Sequence, residues 1–99
     1  MIFITEESEL IYSTNIQAIY FYASWMPFHK KMSIMIGKTE EKHKDISFFA
    51  VDCDKFKGLC RRFDVDSIPS VIINNNGKEI KRLNGIIMTS AFKRAFADI

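Results

Sequence analysis

Two cysteines, Cys53 and Cys60, are the side chains of this 99-residue sequence best suited to covalent chemistry. A thiolate can attack a disulfide, and two cysteines can be bridged when their Cα atoms lie about 4.4–6.8 Å apart. Phe56, Leu59 and Phe63 share a helical spacing with Cys60, which favours a buried structural thiol. Cys53 ends an apolar alternation and is also expected to point inward. A redox-active disulfide between the two remains the alternative.

Met26 and His29 form a second pair, since thioether and imidazole groups both suit Cu(I). Two ligands do not complete a metal site, and a third would have to come from His43 or a cysteine. General-base catalysis by His29 would need a nucleophile, and Ser24 is the one that the sequence offers nearby. The simpler interpretation is that Met26 packs against Trp25 and that His29 caps nothing. We therefore expect no metal, no cofactor and no catalytic residue here.

The charge and hydropathy of the chain argue against several classes of function. Lysine and arginine number 14 and aspartate and glutamate 12, so the net charge of +2 does not favour nucleic-acid binding. The apolar run 18–23 is far shorter than the roughly 20 residues that cross a bilayer. The first residues lack the basic region of a secretory signal, and two cysteines do not make a disulfide framework. We expect a monomeric cytoplasmic protein with one domain over residues 1–99.

Alternating apolar patterns predict the elements that position these side chains. Apolar segments predict strands at residues 2–4, 18–23, 46–51, 70–73 and 79–83. Helical spacing predicts helices in between, from Thr5 to about Asn15, after residue 27, around residues 56–63, and after Thr89 or Ser90. The first helix would turn Leu10 and Ile11 inward. The last helix would begin at a hydroxyl cap.

The order of these elements predicts an α/β fold. Asn76-Gly77 is a strong signal for a two-residue hairpin turn between the last two strands. The earlier strands alternate with helices, which is typical of parallel crossover units. Parallel units followed by an antiparallel hairpin require a mixed sheet of four or five strands with helices on both faces.

Three features in this order resemble the thioredoxin family over essentially the whole chain. The first is the strand that runs through Ser24 and Trp25 into a helix. The second is the segment 65–70, Val-Asp-Ser-Ile-Pro-Ser, and the third is Asn76-Gly77 followed by a strand and Gly85. The resemblance implies a three-layer α/β/α thioredoxin-like fold and a cis peptide bond before Pro69.

The resemblance also implies that the family's redox chemistry is missing. The Cys-X-X-Cys motif of family enzymes falls on residues 26–29, with Met26 in the nucleophile position and His29 in the resolving position. A thioether has no ionisable proton, and imidazole does not resolve a mixed disulfide. The buried acid used for proton transfer in the family falls on Tyr20, and its partner lysine falls on Ala50.

Family members also pair the backbone beside the cis-proline with an extended segment of a partner protein, which needs no thiol. The corresponding rim in this sequence, called here the Pro69 surface, consists of Trp25, Pro27, Phe28, Ile68, Pro69, Gly85 and Ile86. The first hypothesis is a redox-inactive module that binds a protein or peptide at this surface. The alternatives are an atypical thiol–disulfide oxidoreductase that uses Cys53 and Cys60, and a processivity or assembly subunit.

Overall fold

A computed structural model of the chain describes residues 1–10, 15–87 and 89–99. Five strands are formed: β1 (Ile2–Phe3), β2 (Ile16–Tyr22), β3 (Ile46–Asp52), β4 (Ser70–Asn75) and β5 (Lys78–Asn84). The α-helices are α1 (His29–Lys42), α2 (Lys57–Arg62) and α3 (Thr89–Ala97), and Glu7–Glu9 form one 3₁₀ turn. No helix within these ranges is long and apolar enough to span a membrane.

The five strands form one mixed sheet in the order β1-β3-β2-β4-β5. The pairs β1–β3 and β2–β3 are parallel, whereas β2–β4 and β4–β5 are antiparallel. The predicted mixed α/β sheet is therefore confirmed, with five strands. The central strand β2 is hydrogen-bonded on both sides and covered on both faces, which explains why it reads as a continuous apolar and aromatic run.

The two faces of the sheet bury separate apolar clusters. Alternate residues of β2 face opposite ways, so Tyr20 belongs to the cluster under α1 and α3 while Phe21 belongs to the cluster under α2. Met32, Ile36, Phe92 and Phe96 bring α1 and α3 onto the first face, and Leu59 and Cys60 bring α2 onto the second. The layers are thus α/β/α, as predicted.

The hairpin between β4 and β5 follows the sequence signal closely. Asn76 and Gly77 have positive φ angles of 53° and 81°, which the type I′ hairpin turn requires of both central residues. Ser70 lies opposite Asn84 at the other end of this pair, and the register shifts between Ile73 and Asn74. The register set by this turn therefore places the residues that follow β5 beside the start of β4.

The first predicted helix is shorter than the sequence indicates. It is a single 3₁₀ turn whose N-cap is Glu6 rather than Thr5. The carboxylate of Glu9 accepts hydrogen bonds from the backbone N–H groups of Thr5 and Glu6, at 2.8 and 3.0 Å. This local pairing satisfies the N–H groups without further helical turns. The predicted continuation through Ile11 falls on residues 11–14, which lie outside the described residues.

Replacing a fully buried residue of β4 should destabilise the fold. Ile72→Ala removes a side chain that is completely buried beneath α2, and we expect a loss of about 2–5 kcal/mol in the free energy of unfolding. Ile80→Ala in β5 is the matched control, because Ile80 is exposed and its loss should cost less than about 1 kcal/mol. Urea denaturation measures both, and equal losses would contradict the described core.

Candidate functional site

The segment between β2 and α1 presents an exposed tryptophan beside a buried methionine. The N–H of Met26 donates to the carbonyl of Ala23 at 3.0 Å, and the N–H of His29 donates to the carbonyl of Met26 at 3.2 Å. These turns leave Trp25 68% exposed while Met26 is only 9% exposed and belongs to the cluster under α1. The start of α1 therefore offers solvent an indole ring and no thiol.

Trp25 is held by a carboxylate at the end of the neighbouring strand. Its Nε1–H donates to Oδ2 of Asp54 at 2.9 Å, and the N–H of Asp54 donates to Oδ1 of Asp52 at 2.9 Å. The N–H of Cys53 donates to the carbonyl of Tyr22 at 2.8 Å and fixes this turn against β2. The sequence analysis missed Asp54. Its place directly after a parallel strand, at the edge where α/β proteins bind ligands, was the available signal.

His29 is part of an aromatic stack, which the sequence analysis did not predict. Its ring lies parallel to that of Tyr22 at 4.3 Å between centroids, and its Nδ1 is 3.0 Å from the hydroxyl oxygen of Tyr20. Burial raises the pKa of Tyr20, so this hydroxyl keeps its proton, and it shares a hydrogen bond with Nδ1 of His29. The sequence interpretation that His29 caps nothing did not include its contact with the hydroxyl of Tyr20.

The described residues contain no group of three or more His, Cys, Asp or Glu side chains that could hold a metal ion. The Nδ1 of His29 is engaged by Tyr20, and the ring of His43 lies 5.7 Å from that of Phe96. Met26 is buried with the core beneath α1. The two histidines and this methionine therefore pack into separate surroundings, and they do not form the three-ligand arrangement considered from sequence.

The Ile68–Pro69 peptide bond is cis, which confirms the expectation from the sequence resemblance. The carbonyl of Pro69 accepts a hydrogen bond from the N–H of Gly85 at 2.8 Å, and the hydroxyl of Ser70 donates to the carbonyl of Ser67 at 2.7 Å. Gly85 has a φ of 81°, a conformation that favours glycine. Across the described chain, no hydrogen bond uses the backbone N–H or C=O of Ile68.

The register of the sheet brings the predicted site residues to one edge. Ser70 lies opposite Phe21 of β2 and opposite Asn84 of β5. The segments that follow β2 and β5 therefore meet the segment that precedes β4. Trp25, Pro27, Phe28 and Ile86 are exposed, Ile68 and Gly85 are half-buried, and Pro69 is buried.

The two cysteines pack on the face of the sheet opposite α1. Cys60 is buried in α2, as predicted, and the half-buried Cys53 packs against the same cluster under α2. Both thiols are free. Burial is the main cause that raises the pKa of both thiols, and the carboxylate of Asp52 adds to it. A raised pKa lowers the thiolate fraction, and with it the reactivity, at neutral pH.

We expect Cys53 and Cys60 to react slowly with iodoacetamide at neutral pH, because both pKa values are raised. The alkylation rate of each, followed by mass spectrometry, should keep increasing above about pH 8.5, the ordinary pKa of cysteine. The same chain unfolded in urea is the control, and its rates should level off near that ordinary pKa. A plateau below about pH 8.5 in the folded protein would contradict the raised pKa values.

The comparisons with known proteins agree with this geometry. The family model described as Thioredoxin matches residues 4–98. Thioredoxin-2 of Saccharomyces cerevisiae is 30% identical over 91 residues, which cover 92% of this chain and 86% of that relative. The structure of oxidised thioredoxin from Plasmodium falciparum is similar with a TM-score of 0.89 at 21% identity, over 98% of this chain and 95% of that one. This chain is therefore a member of the thioredoxin family.

Proposed function

We propose that this chain binds an extended segment of a partner protein at the Pro69 surface and performs no thiol–disulfide exchange at the start of α1. The observation that carries this proposal is the exposed indole of Trp25 beside the buried thioether of Met26. In the family resemblance, Met26 stands in the position of the attacking cysteine. A thioether forms no thiolate and no disulfide, so the helix N-terminus has no sulfur anion to stabilise.

The residues in the positions of the family's proton-transfer groups also support the absence of thiol–disulfide exchange. Tyr20 and Ala50, which stand in the positions of the family's buried acid and its lysine, are register partners on neighbouring strands. Tyr20 keeps its proton because burial raises its pKa, and its hydroxyl contacts His29 rather than a free cavity. This pair offers no group that would exchange protons with a thiol near neutral pH.

The backbone of Ile68, which no described residue pairs with, supports the binding role. An extended peptide needs an unpaired N–H and C=O on the protein, together with apolar surface for its side chains. The unpaired backbone groups of Ile68 supply the first requirement. Trp25, Phe28 and Ile86, which are 68%, 43% and 57% exposed, supply the second. Aromatic residues of this kind are the usual anchors of binding energy.

A second candidate function is thiol–disulfide exchange by Cys53 and Cys60. The packing of both cysteines against the cluster under α2 favours it, because the two side chains share the same surroundings. Their raised pKa values and their half-buried or buried positions weigh against it. We therefore favour the binding role, and an assay of disulfide reduction distinguishes the two functions.

The proposed partner is a protein, and the chain would act as a monomer in the cytoplasm. The two free thiols are consistent with a reducing compartment. Partner binding without redox chemistry would also suit a processivity or assembly subunit, in which the chain stabilises a larger complex by occupying one of its extended segments.

The reduction of insulin by dithiothreitol tests the redox half of the proposal. We expect the chain to accelerate it no more than buffer does, and Cys53→Ser with Cys60→Ser to change nothing. Restoring sulfur with Met26→Cys and His29→Cys should produce measurable turnover, because a thiolate would then stand at the start of α1. Turnover by the unaltered chain that disappears in Cys53→Ser would overturn the proposal in favour of the second candidate.

The affinity for extended peptides tests the binding half. Peptides selected from a displayed library of unstructured sequences should lose about tenfold or more in affinity for Trp25→Ala, because a central aromatic anchor contributes at least about 1.4 kcal/mol. Ile80→Ala is the matched control, since it removes an exposed apolar side chain of β5 outside the Pro69 surface. Fluorescence anisotropy measures both variants. Equal affinity of Trp25→Ala and the parent chain would contradict the proposed surface.

A further inference from the structure

A second surface lies between α1 and α3, on the face of these helices that points away from the sheet. It is a groove of about 710 Å³. Its apolar lining comes from Met35, which is half-buried, Ile34, which is 53% exposed, and Ala97. An apolar floor between two helices is the kind of surface on which an amphipathic helix can lie.

The rim of this groove is basic. Lys31, Lys38 and Lys42 of α1 and Lys93 of α3 line it, with Glu41 as the one carboxylate among the described lining residues. Within the described chain, none of these four lysines forms an ion pair.

Two acidic side chains at the ends of these helices are engaged elsewhere. Glu40 pairs with the N-terminal ammonium group, and Asp98 pairs with Lys81 of β5 at 2.5 Å. They therefore do not neutralise the lysines of the rim. The positive charge of the rim is left for a ligand, and complementary charge favours an acidic one.

We propose that this groove binds an acidic amphipathic helix of a partner protein. Helix-in-groove recognition places the apolar face of a helix on an apolar floor, with its polar flanks against the rim. The 14 residues of α1 span about 21 Å, which accommodates about four turns of a bound helix. The apolar lining disfavours nucleic acid, whose interfaces are polar and rich in phosphate contacts. The concave shape disfavours a membrane surface, which amphipathic helices enter with a protruding apolar face.

This inference does not rest on the function proposed for the Pro69 surface. The groove is lined by α1 from Lys31 onward and by α3, whereas the Pro69 surface is formed by the segments before β4, after β5 and before α1. A partner could therefore occupy either surface alone. Trp25→Ala separates the two in experiments, because it changes only the Pro69 surface.

Selection from a displayed library of helix-constrained peptides, with the intact chain as target, tests the proposal. We expect the selected peptides to carry an apolar stripe flanked by aspartate and glutamate. A synthetic copy of the strongest should bind Lys38→Glu with Lys93→Glu about tenfold or more weakly than the parent chain, because two attractions become repulsions. Lys57→Glu with Lys78→Glu is the matched control. It makes the same charge change at exposed lysines of α2 and β5 and should bind as the parent does.

A salt titration and the Trp25→Ala variant also test peptide binding in this groove. The affinity of the parent chain for the peptide should fall as salt rises, and Trp25→Ala should bind it unchanged. Selected peptides without acidic flanks, or equal binding by the two charge-reversal variants, would overturn the proposal. So would lysine-dependent binding of phosphatidylserine vesicles or duplex DNA in place of the peptide. Loss of peptide binding in Trp25→Ala would overturn it too, because the peptide would then occupy the Pro69 surface.

Discussion

The requirement that backbone N–H and C=O groups find partners governs this structure. The central strand β2 pairs with β3 on one side and with β4 on the other, so its backbone groups keep hydrogen-bond partners although they are buried. The pairing of β4 begins at Ser70, and the carbonyl of Pro69 is taken by Gly85. Ile68 stands just outside this network, and no described residue pairs with its backbone N–H or C=O. The backbone pairing of the sheet thus begins next to the residue where we propose that a partner segment binds.

The proposed binding surface and the two thiols differ in the chemistry that they offer. The thiols lie under α2, whereas Met26 belongs to the cluster under α1 on the other face of the sheet. The stack of His29 on Tyr22 fills the first turn of α1 with rings. A family enzyme would have a reactive cysteine at the start of this helix. What remains exposed at the Pro69 surface is apolar and aromatic, and we propose that it contributes to binding through its burial.

Local sequence signals predicted much of this molecule, and long-range contacts were the part that they could not supply. The apolar run of β2 and the Asn76-Gly77 turn depend on neighbours in sequence, and both were predicted correctly. The hydrogen bond from Trp25 to Asp54 joins residues 29 positions apart, and its distance depends on the parallel pairing of two strands. The contact of His29 with Tyr20 likewise depends on how α1 is rotated about its axis over β2, and the spacing of apolar residues does not determine that rotation.

The same reasoning explains why the groove between α1 and α3 was not predicted. No pattern within one element groups its four lysines, because their common rim forms only when helices distant in sequence pack on one face of the sheet. The burial of Cys60, in contrast, followed from a helical pattern within one element and was predicted correctly. Patterns within an element predict its buried face, and packing between elements decides which exposed residues become neighbours.

Amide hydrogen exchange at Ile68, measured with and without a saturating extended peptide, tests the central claim most directly. The account predicts that the Ile68 N–H becomes protected when the peptide binds, and that alkylating Cys53 and Cys60 leaves this protection unchanged. Protection that is absent at Ile68, or that disappears once the two thiols are blocked, would contradict it.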